Sequence, residues 1–158
     1  MQASLDPRVF LVVVDETEEH GVAVRYAARR AQHTGGRIAF LYVIEPSDLQ
    51  HWIAIEELAR EERREAAEQL MERLCDEVAP IAGSVPIVYI REGRPRDELL
   101  ALIAEEPSIS ILVLAAGIGP EGPGPLIAYL TGKPAARLRI PITIVPGGLS
   151  VEEIDALS

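Results

Sequence analysis

The sequence predicts an α/β protein with a single doubly wound parallel sheet of five strands and helices on both faces, and three observations lead to this fold class. Apolar runs rich in β-branched residues alternate with segments of helical periodicity along the chain. These runs are almost continuously apolar, as in strands that are buried on both faces. With 158 residues, of which 48% are hydrophobic, the chain has the size and composition of one globular domain.

The start of the chain predicts two strands and an intervening helix. The run RVFLVVVD indicates a strand over Arg8–Val14 that stops at an acid, and RIAFLYVIEP indicates the second strand. The segment between them has an acidic first turn, places Arg29 and Arg30 in its last turn and stops at Gly35–Gly36. Such a charge distribution suits the helix dipole, and a helix is therefore predicted here.

A long second helix is predicted over about Leu49–Ala79, because apolar residues form two neighbouring i+4 rows along this segment. Cys75, the single cysteine of the chain, lies in one of these rows with only Arg73 within possible reach, so we expect an inert core thiol. One cysteine also excludes an intramolecular disulfide. Trp52, near the start of the helix, is expected to pack as an anchor or to contact a partner.

The second half of the chain predicts three more strands and further helices. VPIVYIREG and ISILVLAA indicate strands three and four, and RPRDELLALIAEE between them indicates a helix with Pro95 in its first turn. After the fourth strand, PLIAYLTGKPAARLR can be helical in pieces, and IPITIVPGG indicates the fifth strand. We assign residues 1–147 to the domain and residues 148–158 to an acidic C-terminal tail of uncertain order.

Charge and motif spacing exclude several classes of function. The formal net charge of −10 leaves no basic stripe for a phosphate backbone, so nucleic acid is not expected as a partner. The first apolar run is too short for a signal segment or a membrane span, so we expect a cytoplasmic protein without a membrane partner. His20, His33 and His51 share no metal-ligand spacing, and TGKP lacks the first glycine and the Ser or Thr of a P-loop.

The candidate site lies where the first and fourth strands end. Ligands of doubly wound sheets bind beyond the carboxyl ends of the strands, where the strand order reverses. If the first and fourth strands are neighbours, Asp15 and the loop GPEGPGPLIAYLTGK face the same crevice. Glycines let backbone N–H groups approach an anion, whereas each proline removes one such donor. A phosphate-binding loop and a rigid connection therefore both remain open.

The segments VVVDETEEHGVAVRYAARRA, EGRPRDELLALIAEE and ILVLAAGIG to IPITIVP, in this order, resemble the universal stress protein family over nearly the whole chain. The resemblance implies a flavodoxin-like strand order of 3-2-1-4-5 and a homodimer. Asp15 and Thr17 match the Asp-x-Ser/Thr pattern of the family, and Ala23 matches the alanine that follows it. Val43 matches the position whose backbone meets the adenine in nucleotide-binding members.

Those members also share a glycine motif, G-x-x-G followed after nine residues by G and Ser or Thr. Gly119, Gly122 and Gly132 satisfy the glycine spacing, but Lys133 stands where the phosphate-contacting hydroxyl would be. Counted from the end of the fourth strand, the G-x-x-G position instead falls on Ala116–Gly119, and the loop prolines then belong to a three-residue insertion. Both registers remain open.

The resemblance implies a stress-response protein that holds an adenine nucleotide such as ATP without efficient turnover, with Mg²⁺ only if the nucleotide carries it. The alternative is a homodimer that binds no nucleotide and acts through protein contacts. A hydrolase or adenylating enzyme is disfavoured because no catalytic set is visible in the sequence. We expect the dimer to form through the last strand, Pro141–Pro146, whose edge amides a symmetric partner can satisfy. The candidate nucleotide-binding residues are Asp15, Thr17, Val43, Gly117, Gly119, Gly122, Gly132 and Lys133.

Overall fold

The structure of the protein is a computed structural model that describes residues 7–15, 20–46, 53–133 and 137–158, with the backbone alone for residues 53–55. Its strands are β1 (Val9–Val13), β2 (Arg37–Ile44), β3 (Ile87–Glu92), β4 (Ile109–Ala116) and β5 (Ile142–Pro146). Its helices are α1 (His20–Thr34), α2 (Ile53–Ala82), α3 (Pro95–Glu105), α4 (Pro125–Leu130) and α5 (Val151–Leu157).

The five strands form one sheet in the order β3-β2-β1-β4-β5, and all its pairings are parallel. The predicted fold class and strand order are thereby confirmed. β1 is the central strand, with Val12 opposite Phe40 of β2 on one side and Val113 of β4 on the other. The strand order reverses on the two sides of β1, so the carboxyl ends of β1 and β4 border a crevice.

The sheet separates two apolar layers, which explains why the central strand β1 lacks polar residues. On β1, Phe10 and Val12 face a cluster shared with α1 and α2, whereas Val9 and Leu11 face a cluster shared with α3 and α4. All four side chains are at most 3% exposed. A strand covered on both faces has no position at which a polar side chain could reach water.

Helix α1 packs on the sheet through alanines. Ala23, Ala27, Ala28 and Ala31 are each at most 2% exposed, and their small side chains allow the helix to approach the strands closely. The helix begins at His20, so the acids expected in its first turn lie outside the described residues. It also runs on to Thr34, and the basic residue of its last turn is therefore His33, not Arg29 or Arg30 as predicted.

Helix α2 extends three residues beyond its predicted end and contains Pro80. It ends at Gly83, which adopts a φ of +83° and donates its N–H to the carbonyl of Ala79 at 2.9 Å. Cys75 packs half-buried against the α1–α2 cluster. Desolvation by burial, followed by the nearby Asp76 carboxylate, raises the pKa of its thiol, so the thiolate is disfavoured. Trp52 lies outside the described residues.

The C-terminal segment, for which the sequence left the degree of order open, contains a helix. Ser150 and Glu153 form a capping box, in which each side chain accepts a hydrogen bond from the backbone of the other residue. Ile154 is 2% exposed. One buried side chain and a satisfied N-terminus are thus enough to form α5, although its hydrophobic pattern is too short to predict it.

Candidate functional site

A cleft of about 1090 Å³ opens at the carboxyl ends of the central strands. Val13 and Val14 of the β1 end, Val43 of β2 and Leu114 of β4 contribute to its floor. β1 and β4 are neighbours, as the location of the crevice requires. The cleft therefore lies at the switch point of the sheet, where doubly wound proteins bind ligands.

The strand ends bring two of the candidate residues to this cleft. Asp15 follows β1 after one residue, because the apolar run ends there, and its exposed side chain lines the cleft. Val43 lies near the end of β2, where it is half-buried and lines the same cleft. Thr17 lies outside the described residues.

The glycine-rich loop after β4 forms another wall of the cleft and folds back on itself. Gly117 donates its N–H to the carbonyl of Pro123 at 2.9 Å, and Gly122 donates its N–H to the carbonyl of Gly119 at 3.3 Å. A Cβ atom on Gly117 would lie 3.1 Å from the carbonyl oxygen of Gly122, so this packing is close. Gly122 and Gly124 adopt φ values of +94° and +118°, which favour glycine. Two of the loop's amide groups are therefore used within the loop.

Gly132 and Lys133 occupy a different position. They follow the C-terminal end of α4, and neither lines the cleft. The Lys133 side chain is exposed. The structure thus brings together Asp15, Val43, Gly117, Gly119 and Gly122, and it leaves Gly132 and Lys133 outside the cleft lining.

Arg63 of α2 also lines the cleft, and it was not among the candidate residues. Its Nη2 lies 3.5 Å from the Oε1 atom of Glu56, and its side chain is 34% exposed. Its Nε is buried and has no hydrogen-bond partner within the part of the chain that the structure describes. Arg63 lies on the same i+4 row as Cys75, twelve residues earlier, so the periodicity places it on the apolar side of α2. It does not predict that this end of the row borders the strand ends.

One turn earlier on α2, Arg60 is engaged by a carboxylate. Its Nε donates to Oε1 of Glu92 at 2.9 Å, and its Nη2 donates to Oε2 at 2.6 Å. This hydrogen bonding, more than any other effect, lowers the pKa of Glu92 below its ordinary value. Arg60 does not line the cleft, so the two neighbouring arginines differ both in location and in how firmly they are paired.

A comparison with protein families decides the family to which the chain belongs. Residues 7–145 match the model of the universal stress protein family. The chain belongs to the universal stress protein family. This match confirms the resemblance seen in the sequence. Comparison with curated protein sequences finds no match.

Solved structures of other universal stress proteins share the fold at low sequence identity. The universal stress protein UspA from Lactobacillus plantarum is 19% identical with a TM-score of 0.72, over 90% of this chain and 99% of that chain. A universal stress protein from Archaeoglobus fulgidus in complex with dAMP is 14% identical with a TM-score of 0.56, over 89% and 98%. A universal stress protein in complex with cAMP is 19% identical with a TM-score of 0.57, over 87% and 96%.

Among the residues described, no group of three or more His, Cys, Asp or Glu side chains is placed to hold a metal ion. No described helix is both long and apolar enough to cross a bilayer. Besides Arg63, Tyr42 and Glu45 line the cleft of this universal stress protein without having been predicted from the sequence.

Proposed function

We propose that this universal stress protein binds an adenine nucleotide in the cleft between the ends of β1 and β4 and does not turn it over efficiently. The observation that carries the proposal is that one cleft at the switch point gathers Asp15, Val43 and the glycine-rich loop. Its volume of about 1090 Å³ is ample for a nucleotide. Two structurally similar family members in complex with dAMP and cAMP support the same class of ligand.

Each candidate residue has a defined role in this proposal. The Asp15 carboxylate accepts hydrogen bonds from the ribose hydroxyls or the adenine amino group, and the backbone of Val43 meets the adenine ring. Gly117, Gly119 and Gly122 border the phosphate end. Their missing side chains allow a ligand to approach the backbone closely.

The remaining candidates come from the family resemblance. Thr17 follows Asp15 in the matched motif, and Gly132 and Lys133 take the place of the phosphate-contacting pair. Lys133 would contact a phosphate only by extending its long side chain from outside the cleft lining. ATP is the nucleotide that the resemblance implies, with Mg²⁺ carried by the nucleotide.

The test combines release of endogenous ligand with calorimetry. Denaturation of the purified protein should release an adenine compound, and titration of the emptied protein with AMP, cAMP and ATP should show saturable binding. Asp15→Asn should weaken binding about tenfold because a charged acceptor is lost, whereas Asp97→Asn on the exposed face of α3 should leave it unchanged. Absence of binding by the parent protein at millimolar concentrations of all three nucleotides would overturn the proposal.

A second candidate function is a stress-response homodimer that acts through protein contacts in the cytoplasm. One observation favours a dimer: β5 is an edge strand whose Ile144 side chain is 41% exposed. The unpaired edge of Pro141–Pro146 would then join its symmetric copy. The two functions are compatible, and the absence of nucleotide binding would leave only the second.

In either case we expect ATP hydrolysis well below about 1 per second.

A further inference from the structure

We propose that the cleft selects an adenine nucleotide with a single phosphate group over a triphosphate, and that Arg63 holds this phosphate. The inference rests on the proposed function and narrows its ligand class. It follows from three features of the cleft: the signs of the charges that line it, the internal hydrogen bonds of the glycine-rich loop, and the loosely paired guanidinium on α2.

The described lining of the cleft is predominantly acidic. It includes the carboxylates of Asp15, Glu45 and Glu121, and Arg63 is the one arginine or lysine among the described lining residues. His20 also lines the cleft. A phosphate monoester carries about −1.5 to −2 charges at pH 7, and one guanidinium offsets roughly half to two thirds of that charge. Each further phosphate would add negative charge to a lining that already holds three carboxylates.

The glycine-rich loop offers a polyphosphate fewer donors than its glycines suggest. The N–H groups of Gly117 and Gly122 are donated to Pro123 and Gly119 within the loop. Pro123 and Pro125, which also line the cleft, have no N–H to donate. Each of these positions is one donor fewer for an extended phosphate chain, so the loop favours a shorter phosphate group.

Arg63 has the donors that the loop lacks. Its contact with Glu56 is a long one, 3.5 Å from Nη2 to Oε1, and its buried Nε is unpaired among the described residues. Arg60, by contrast, makes a two-pronged contact with Glu92 at 2.9 and 2.6 Å. A guanidinium offers several donors in a fixed plane and can bind two phosphate oxygens at once. A phosphate in the cleft would therefore satisfy a donor that the described residues leave unpaired.

Calorimetry with adenosine, AMP, cAMP and ATP, in a metal-free buffer of constant ionic strength, tests the proposal. AMP and cAMP should bind more tightly than adenosine, and ATP should bind more weakly than AMP. Arg63→Gln should weaken AMP binding roughly ten- to hundredfold, the effect of losing a hydrogen bond to a charged group. The same variant should bind adenosine as the parent does, which also shows that it is folded.

Matched variants on the same helix distinguish a direct contact between Arg63 and the phosphate from an effect of the protein's net charge. Arg64→Gln removes an equal charge from a residue that does not line the cleft and pairs with Glu68 at 3.5 Å, so it should leave AMP affinity unchanged. Arg63→Lys should retain part of the AMP affinity, because it keeps the charge but not the planar donors.

Three results would overturn the inference. If ATP binds as tightly as AMP, the cleft does not select a single phosphate. If Arg63→Gln and Arg64→Gln behave alike, Arg63 does not hold the phosphate, while the proposed nucleotide function stands. If none of the four compounds binds, the proposed function fails and this inference fails with it.

Discussion

Arg25 of α1 and Asp155 of α5 form a two-pronged ion pair, in which Nε and Nη2 of the arginine each donate to a different carboxylate oxygen at 2.8 Å. Both side chains are about 30% exposed. Next to this pair, Ile154 buries the apolar side of α5. Arg29 also lies 3.6 Å from Asp155, and a ring nitrogen of His33 lies 2.9 Å from the Ser158 carbonyl oxygen. The C-terminal helix is therefore attached to α1 by an apolar anchor and several polar contacts, of which the Arg25–Asp155 ion pair has the most favourable geometry.

The attachment of α5 should depend on pH. The hydrogen bond from Arg25 is the main cause that lowers the pKa of Asp155 in the folded protein. The ion pair therefore contributes stability above the ordinary Asp pKa of about 4, and the contribution is lost as the pH falls through the lower folded value. The protection of the α5 amides against hydrogen exchange, measured relative to the intrinsic rate at each pH, should fall in acid. At pH 7, Asp155→Asn should show the same loss of protection, and the exposed Asp97→Asn should not. Equal protection in the parent and in Asp155→Asn would mean that the ion pair does not hold the helix.

A clear effect on stability is expected from substituting Gly36, where α1 leads into β2. A Cβ atom there would lie 2.5 Å from the carbonyl oxygen of Arg8 and 3.3 Å from the Phe10 ring. Gly36→Ala should therefore lower the free energy of unfolding by about 1–3 kcal/mol, measured by urea denaturation. Gly21→Ala is the matched control, because nothing lies within 4 Å of its added Cβ. It should be neutral or stabilise α1 by up to about 1 kcal/mol. A stable Gly36→Ala would contradict the close approach of the two backbones.

Arg139 should stabilise the junction between α3 and β4. Its guanidinium donates hydrogen bonds to the carbonyls of Ile103, Glu106 and Ile109 at 2.6 to 3.1 Å. Arg139→Met should lower the free energy of unfolding by about 1–2 kcal/mol, because several carbonyls lose a charged donor. Arg139→Lys should recover only part of this loss, since an ammonium cannot reach all three carbonyls from one position. If Arg139→Lys is as stable as the parent protein, the planar fork of the arginine contributes nothing.

The extent to which the fold could be predicted differs between its parts. β4 was predicted as ISILVLAA and occupies the same residues, Ile109–Ala116, because a strand buried on both faces leaves a sharply bounded apolar run. α5 could not be predicted because a single apolar residue, Ile154, anchors it. The partner of its Asp155 in the ion pair, Arg25, lies far away in the chain. The strand order followed from the family resemblance and not from periodicity.

The residues of the candidate site could likewise be predicted only in part. Asp15 was found because a buried strand ends there, and parallel strands place their ends at one edge of the sheet. Arg63 was not found because it is a charged residue at the N-terminal end of an apolar i+4 row of α2, and the row does not show that this end borders the strand ends. The loop glycines were found by spacing. The hydrogen bond from the Gly117 N–H to the Pro123 carbonyl depends on how the loop folds, and the spacing of the glycines does not predict it.

Dimerisation should depend on the exposed edge at β5. Ile144 is 41% exposed on this strand, and Val88, 37% exposed on β3 at the opposite edge, provides a matched control. If β5 is the interface, Ile144→Glu should shift the protein from dimer to monomer, because two buried like charges would face each other near the symmetry axis. Val88→Glu should not change the mass measured by light scattering. A parent protein that is monomeric at micromolar concentration would remove the prediction, and a dimer unaffected by Ile144→Glu would place the interface elsewhere.

The variant Lys133→Ala tests whether this position still contacts a phosphate when a lysine replaces the family's Ser or Thr. Its side chain is exposed and does not line the cleft, whereas Arg63 does. We therefore expect Lys133→Ala to change AMP affinity less than about twofold at physiological salt, where solvent screens an exposed charge at a distance. The same variant should lower ATP affinity somewhat more, because only a longer phosphate chain would extend towards the rim. Both affinities are measured by calorimetry in parallel with Arg63→Gln. A loss of AMP affinity in Lys133→Ala as large as that in Arg63→Gln would mean that the lysine enters the cleft when the nucleotide binds.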